Sequence, residues 1–208
     1  VLLLTMSSMD QKMLKELFSH LRESTGVLGF SGYRQMDFDE FVKSQDETDI
    51  RLVLDSDILK DMFVLSIKTD KRMRDHREAI SVSDDDRGLV LSFEELVLFG
   101  PGDATLKKHA HGVLDAIQST IESCANNILI MGHTDNTPIK SKQYASNLEL
   151  SLDRGLSVLD YFLGKKMSPL RFYVGGYGDS RPLFPNDTVE HRASNRRVEI
   201  IFKLIQES

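Results

Sequence analysis

The chain has 208 residues, of which 40% are hydrophobic and 28% charged, and its formal net charge is −6. Such a composition excludes a disordered chain, and the acidic balance argues against nucleic acid as a partner, because phosphate binders carry a basic face or stripe. Cys124 is the single cysteine, so an intrachain disulfide is excluded and the redox compartment stays open.

The first residues, Val1 to Met6, are apolar, but a membrane span needs roughly 20 such residues. They read either as an apolar chain end or as the last turns of a transmembrane helix. Ser8-Met9-Asp10-Gln11 has the form of a capping box. Met13, Leu14, Leu17, Phe18 and Leu21 follow at helical spacing, which predicts a short amphipathic helix ending near Gly26. That helix either packs on its own domain or lies on a membrane surface or partner. Residues 26–48, broken by Gly26, Gly29 and Gly32, read as a linker. From Ser56 the apolar set Ile58, Leu59, Met62, Phe63 and Leu65 predicts a helix, which fades into a charged run from Lys68 to Glu78 with the character of a solvated face.

Regular alternation begins there. Residues 79–82 and 88–92 are strand-like, and Asp84-Asp85-Asp86-Arg87-Gly88 suits a hairpin turn better than a calcium loop, whose spaced oxygens it lacks. A loop over 99–104 leads to a helix predicted over 105–123, with Leu106, Ala110, Val113, Leu114, Ile117 and Ile121 on one face. A buried strand over 127–131 ends in Gly132-His133-Thr134-Asp135. A helix is expected from about Ser151 to Lys166 with Leu152, Leu156, Leu159 and Leu163 inward. Residues 171–174 predict a third core strand, a Pro- and Asn-rich loop follows, and Val198 to Phe202 close the chain as a last strand. This order predicts an α/β sandwich, with helices on one face of a small mixed sheet.

Two charges stand out. Asp135 lies just past the end of a buried strand, where binding groups gather in open αβ sheets. If Ser151 caps its helix, Arg154 occupies the third helical position, where free amides already favour an anion. Together they suit a molecule bearing both an ammonium and a carboxylate. The plainer readings are an Asx-turn from Asp135 to Thr137 and a surface pairing of Arg154 with Asp153 or Glu149. His133, Asp135, His109 and His111 show no second cluster at zinc-ligand spacing, no nucleophile elbow is present, and Cys124 has no activating base beside it. No cofactor and no catalytic apparatus is implied.

Several ordered pieces carry a resemblance: Phe99 to Leu106, Gly132-His133-Thr134-Asp135-Asn136-Thr137-Pro138-Ile139, and Asn147-Leu148-Glu149-Leu150-Ser151 with Arg154. They continue with Gly176-Tyr177-Gly178-Asp179, Pro182-Leu183, Asn186 with Thr188, and Arg192-Ala193 with Asn195-Arg196-Arg197-Val198-Glu199-Ile200. Over residues 80–203 the chain resembles the OmpA-like peptidoglycan-binding domain in its MotB flagellar-stator form. The resemblance implies a βαβαβ sandwich with an N-terminal helical extension, and a non-enzymatic domain that binds the diaminopimelate of the peptidoglycan stem peptide. It places that ligand on Asp135 and Arg154, with Thr134, Asn147 and Arg196 lining or supporting the groove. Gly155 departs from the Ala usual in the family, which should loosen the helix by up to about 1 kcal/mol.

The same resemblance implies three parts: the end of a membrane span and an amphipathic plug over 1–25, a linking helical region over 26–78, and the peptidoglycan-binding domain over 79–205. It implies a periplasmic location with one N-terminal inner-membrane span, a homodimer, and a MotA-like ion-channel subunit as partner through that span. A wall-binding module of an outer-membrane protein or lipoprotein unrelated to motility is the alternative. A wall hydrolase or amidase would need a nucleophile or metal set that the sequence does not display.

Overall fold

The computed structural model describes residues 56–139, 141 and 143–203. The apolar N-terminal end, the amphipathic plug and the linker expected over 26–48 lie outside the described residues. Within them no helix is long and apolar enough to cross a membrane.

Helix α1 (Ser56–Thr69) and the single turn α2 (Lys71–Arg74) precede a 3-10 turn at Arg77–Ala79. Strands β1 (Ile80–Asp85) and β2 (Gly88–Glu94) form the expected hairpin, with Asp85 opposite Gly88. Gly88 takes φ 135° there, a conformation that suits glycine alone. The one-turn α3 (Glu95–Leu98), α4 (Lys108–Ser123) and β3 (Ile128–Gly132) follow. Next come α5 (Asn147–Gly164), β4 (Phe172–Gly176), α6 (Val189–Asn195) and β5 (Arg197–Lys203).

The strands make one five-stranded sheet in the order β1-β2-β5-β3-β4. The β2·β5 and β3·β5 pairs are antiparallel and β3·β4 is parallel, so the sheet is mixed, as predicted. Alternation along the strands sends Leu89, Leu91, Phe93, Ile128, Ile130, Val198, Ile200 and Phe202 to one face. There they share a core with Leu59 and Phe63 of α1, Val113, Leu114 and Ile117 of α4, and Val158 and Phe162 of α5. At about 25 cal/mol per Å² of apolar surface removed from water, this layer supplies the main driving force of the fold.

Three expectations change. Leu59, Phe63 and Met73 belong to this core, so the packed unit reaches back into the stretch assigned to the linking region, and the charged run hides a buried methionine. The third core strand, β4, is an edge strand in which Tyr173 is 55% exposed. The loop before β5 holds α6, whose start is capped by Thr188 Oγ1 accepting the His191 amide at 3.0 Å.

Helix α5 differs most. It begins at Asn147, capped by Ser146, whose hydroxyl accepts the Glu149 amide at 3.2 Å while Glu149 accepts the Ala145 amide at 2.6 Å. Arg154 is therefore its eighth residue, and the macrodipole argument for its position falls. The inward face is also rotated. Leu152 and Leu156 are exposed, whereas Leu150, Ser151, Arg154, Gly155, Val158 and Phe162 are buried. Small residues let the helix lie close on the sheet: a Cβ on Gly132 would sit 1.9 Å from the Ser151 carbonyl oxygen, and one on Gly155 2.8 Å from Val174 Cγ2.

Candidate functional site

The carboxyl ends of β2 and β3 and the amino end of β5 meet at one edge of the sheet, where Glu94 pairs with Arg197 and Gly132 with Val198. That register brings Glu95, Asp135 and Arg196 together from distant points of the chain. The Glu95 amide donates to the Arg196 carbonyl at 2.7 Å, and the His133 amide to the Arg197 carbonyl at 2.9 Å.

Asp135 is buried at the mouth of this edge. Its Oδ1 accepts the Thr137 amide at 2.8 Å, the expected Asx-turn, while its Oδ2 pairs with Arg196 Nη1 at 2.6 Å. Burial works to raise its pKa, but the Arg196 guanidinium and the Thr137 amide outweigh it and hold the carboxyl below its ordinary value. Arg196 also gives its Nε to Glu95 Oε2 at 2.8 Å, and the two carboxylates raise its own pKa against the effect of burial. Glu95 completes the chain by taking Nη2 of Arg154 on its other oxygen.

Asp135 and Arg154 are thus joined through two other side chains. They are the two ends of an alternating series, Asp135, Arg196, Glu95, Arg154. Arg154 is only 1% exposed: its Nε donates to the Asp103 carbonyl at 3.0 Å and its guanidinium lies 5.6 Å from the Phe99 ring centroid. Arg196, with 29% of its side chain exposed, is the cation that reaches the surface of the cluster.

The remaining expected residues divide in role. Asn147 is fully employed in holding the loop after β3. Its Nδ2 donates to the carbonyls of Asp135 at 3.2 Å and Thr137 at 3.0 Å, and its Oδ1 accepts the Ile139 amide at 3.2 Å. Thr134 is buried beside Asp135 with its backbone amide on the Gly178 carbonyl, yet its Oγ1 finds no partner among the described residues. A buried hydroxyl without a partner is costly unless a ligand or water meets it.

Two residues of the site were given no site role by the sequence reading, although Asn195 stands in one of the motifs that carry the resemblance. Glu95 sits just past a buried strand, the same signal that singled out Asp135. Asn195 is fully buried and ties the 183–186 loop by accepting the amides of Leu183 and Phe184 at 2.8 and 3.0 Å and by donating to the Phe184 carbonyl at 2.8 Å. Asn186 of that loop then accepts the Asn136 amide at 3.3 Å, so the two loops bordering Asp135 are joined.

A family model described as the OmpA family matches residues 98–196. The protein YtxE of Bacillus subtilis is 37% identical over 162 residues, which make up 77% of this chain and 62% of that protein. Motility protein B of the same organism is 32% identical over 134 residues, 64% of this chain and 50% of that protein. The chain therefore spans between half and two thirds of the length of these two relatives. A crystal structure of a MotB-like protein from Desulfovibrio vulgaris superposes with a TM-score of 0.63 at 31% identity, covering 70% of this chain and 91% of that one. The fold, the ordered motifs and these likenesses lead to one conclusion: the chain carries an OmpA-family domain, with motility protein B among its relatives.

Proposed function

We propose that this chain is the wall-gripping, periplasmic part of a MotB-like stator subunit, which holds the diaminopimelate of the peptidoglycan stem peptide without covalent chemistry. The observation that carries the reading is the ion pair between Asp135 and the part-exposed Arg196, with the Thr134 hydroxyl, unpartnered among the described residues, beside it. A ligand end with an ammonium and a carboxylate has one natural partner in each side chain, and Thr134 Oγ1 stands ready to donate or accept.

The roles of the five residues are then distinct. Asp135 takes the ammonium and Arg196 the carboxylate. Thr134 supplies a hydroxyl, Asn147 holds the loop, and Arg154 acts from beneath by fixing Glu95 and adding positive charge under the floor. In this role the domain performs no catalysis; it is a fixed point against which a partner in the membrane pushes. The full arrangement would add one inner-membrane span, a second copy and a MotA-like channel subunit.

Co-sedimentation with purified peptidoglycan sacculi tests the grip. The parent chain pellets, free diaminopimelate competes it off, and Asp135→Ala and Arg196→Ala stay in the supernatant. Retention of both variants in the pellet would refute the site as described.

A further inference from the structure

The cluster contains a group to which the wall-binding reading gives no ligand contact: the buried carboxylate of Glu95. It touches no open surface, yet it contacts both guanidinia of the site, through Oε1 to Arg154 and through Oε2 to Arg196 at 2.8 Å. Its backbone amide is tied to the Arg196 carbonyl at 2.7 Å, and its Oε1 also receives the Gly102 amide at 3.4 Å. We propose that Glu95 is a positioning and specificity residue, which clamps Arg154 and Arg196 side by side and brings the cluster to zero net charge, so that the site selects a ligand end bearing both charges.

The charge count is direct. Asp135 and Glu95 contribute two negative charges, Arg154 and Arg196 two positive ones, and all four are linked by hydrogen bonds. Asp103 lies nearby and its carboxylate feels the Arg154 charge, but it is part-exposed and turned to the Thr105 amide at 2.9 Å, and it is its carbonyl that hydrogen-bonds Arg154, so the carboxylate stands outside the linked series. A ligand carrying only a carboxylate would add an uncompensated charge to this partly buried site, and so would one carrying only an ammonium. A zwitterionic end leaves the balance at zero. It replaces the contact between Asp135 and Arg196 by two new ones, ammonium to Asp135 and carboxylate to Arg196. Because Glu95 holds Arg196 at Nε and at the main chain, the outer nitrogens of that guanidinium are the ones left to turn toward the ligand.

This inference rests on the wall-binding reading, and three small molecules separate the two. Meso-diaminopimelate has both kinds of charge at each end, pimelate is the same chain without the ammonium groups, and cadaverine is the chain without the carboxylates. Each is titrated by calorimetry into the parent chain, Glu95→Gln and Glu95→Asp, with folding checked by circular dichroism. The parent binds diaminopimelate and neither analogue. Glu95→Gln leaves the cluster one positive charge in excess, so diaminopimelate binding weakens about tenfold or more and pimelate binding appears. Glu95→Asp keeps the charge but is one methylene too short to span both guanidinia. It therefore loses affinity while still preferring diaminopimelate to pimelate.

A parent chain that binds neither sacculi nor diaminopimelate overturns the wall-binding reading itself. A parent that binds both, but takes pimelate as tightly as diaminopimelate, overturns the role of Glu95 alone and needs no variant to fold. Unchanged affinity and selectivity in Glu95→Gln would do the same.

Discussion

Arg154→Ala is expected to damage the fold as well as the grip, unlike Arg196→Ala. The Arg154 guanidinium is 1% exposed, holds Glu95, donates to the Asp103 carbonyl and stacks against Phe99. Breaking a buried pair by removing one partner costs about 3–5 kcal/mol, because the other charge is left without compensation. Here Glu95 keeps Arg196, so the lower end, about 3 kcal/mol, applies. For a domain of this size that lowers Tm by about 6–12 °C. Arg196 is part-exposed, and solvent screening reduces the cost of its removal to about 1–2 kcal/mol. Urea unfolding followed by circular dichroism measures both, and sacculus co-sedimentation at a temperature where both variants remain folded measures the grip. An Arg154→Ala midpoint equivalent to the parent's within about 0.5 kcal/mol, a change typical of a neutral surface substitution, would refute the view of Arg154 as a structural cation.

Three further outcomes follow from particular contacts. Burial opposes the charge of Glu199, but the facing His133 and Arg197 prevail and depress its pKa from 4.5 to about 2. A depressed acid stabilises the fold fully above its unfolded value and loses that contribution as pH falls through the folded one, so about 3 kcal/mol should disappear between about pH 4.5 and 2. Urea midpoints across that range should fall more steeply for the parent than for Glu199→Gln. Gly155→Ala gains about 1 kcal/mol of helix propensity, yet its Cβ would meet the stiff Val174 side chain at 2.8 Å. A net loss of about 1–3 kcal/mol in urea unfolding is therefore expected, and it should shrink in a Val174→Ala background. Ser146→Ala removes the α5 cap and should cost about 1 kcal/mol in the same assay.

Most of the elements were legible because apolar periodicity carries them: the hairpin, α4, β3 and β5 lie within a few residues of their expected places. The inward face of α5 was not, for a physical reason. Hydrophobicity points Leu152 and Leu156 inward, but close approach to the sheet demands small residues, so Ser151 and Gly155 take the interface and the leucines turn out. The helix start was misread because two serines compete as caps. Ser146 has Glu149 three residues on, which reaches back to the amide of Ala145 just before the cap, a partner that Ser151 lacks. Asp135 was found by its place after a strand. The burial of Arg154 was hidden, because an arginine enters a core only with partners such as Glu95 and the Asp103 carbonyl, supplied by segments remote in sequence.

Arg196 and Arg197 show how closely the proposed grip would depend on sheet register. They are consecutive, yet they serve separate clusters: Arg196 spans Asp135 and Glu95, while Arg197 gives its Nε and Nη2 to Glu199 at 2.9 and 2.7 Å. Glu199 also holds Arg87 at 2.7 Å, and His133 Nε2 lies 3.4 Å away, with burial pushing the pKa of its ring below the ordinary imidazole value against the pull of Glu199. A one-residue slip of β5 would hand each arginine to the other's side of the sheet and leave carboxylates buried without cations, so the pairing is strongly specified. Neighbouring substitutions should therefore separate cleanly. Arg197→Ala is expected to lose about 3–5 kcal/mol of stability and still pellet with sacculi while folded, whereas Arg196→Ala loses the pellet at modest cost to the fold. Equal losses of binding in the two folded variants would mean that the clusters act as one unit and that the exposed guanidinium has no privileged part in the grip.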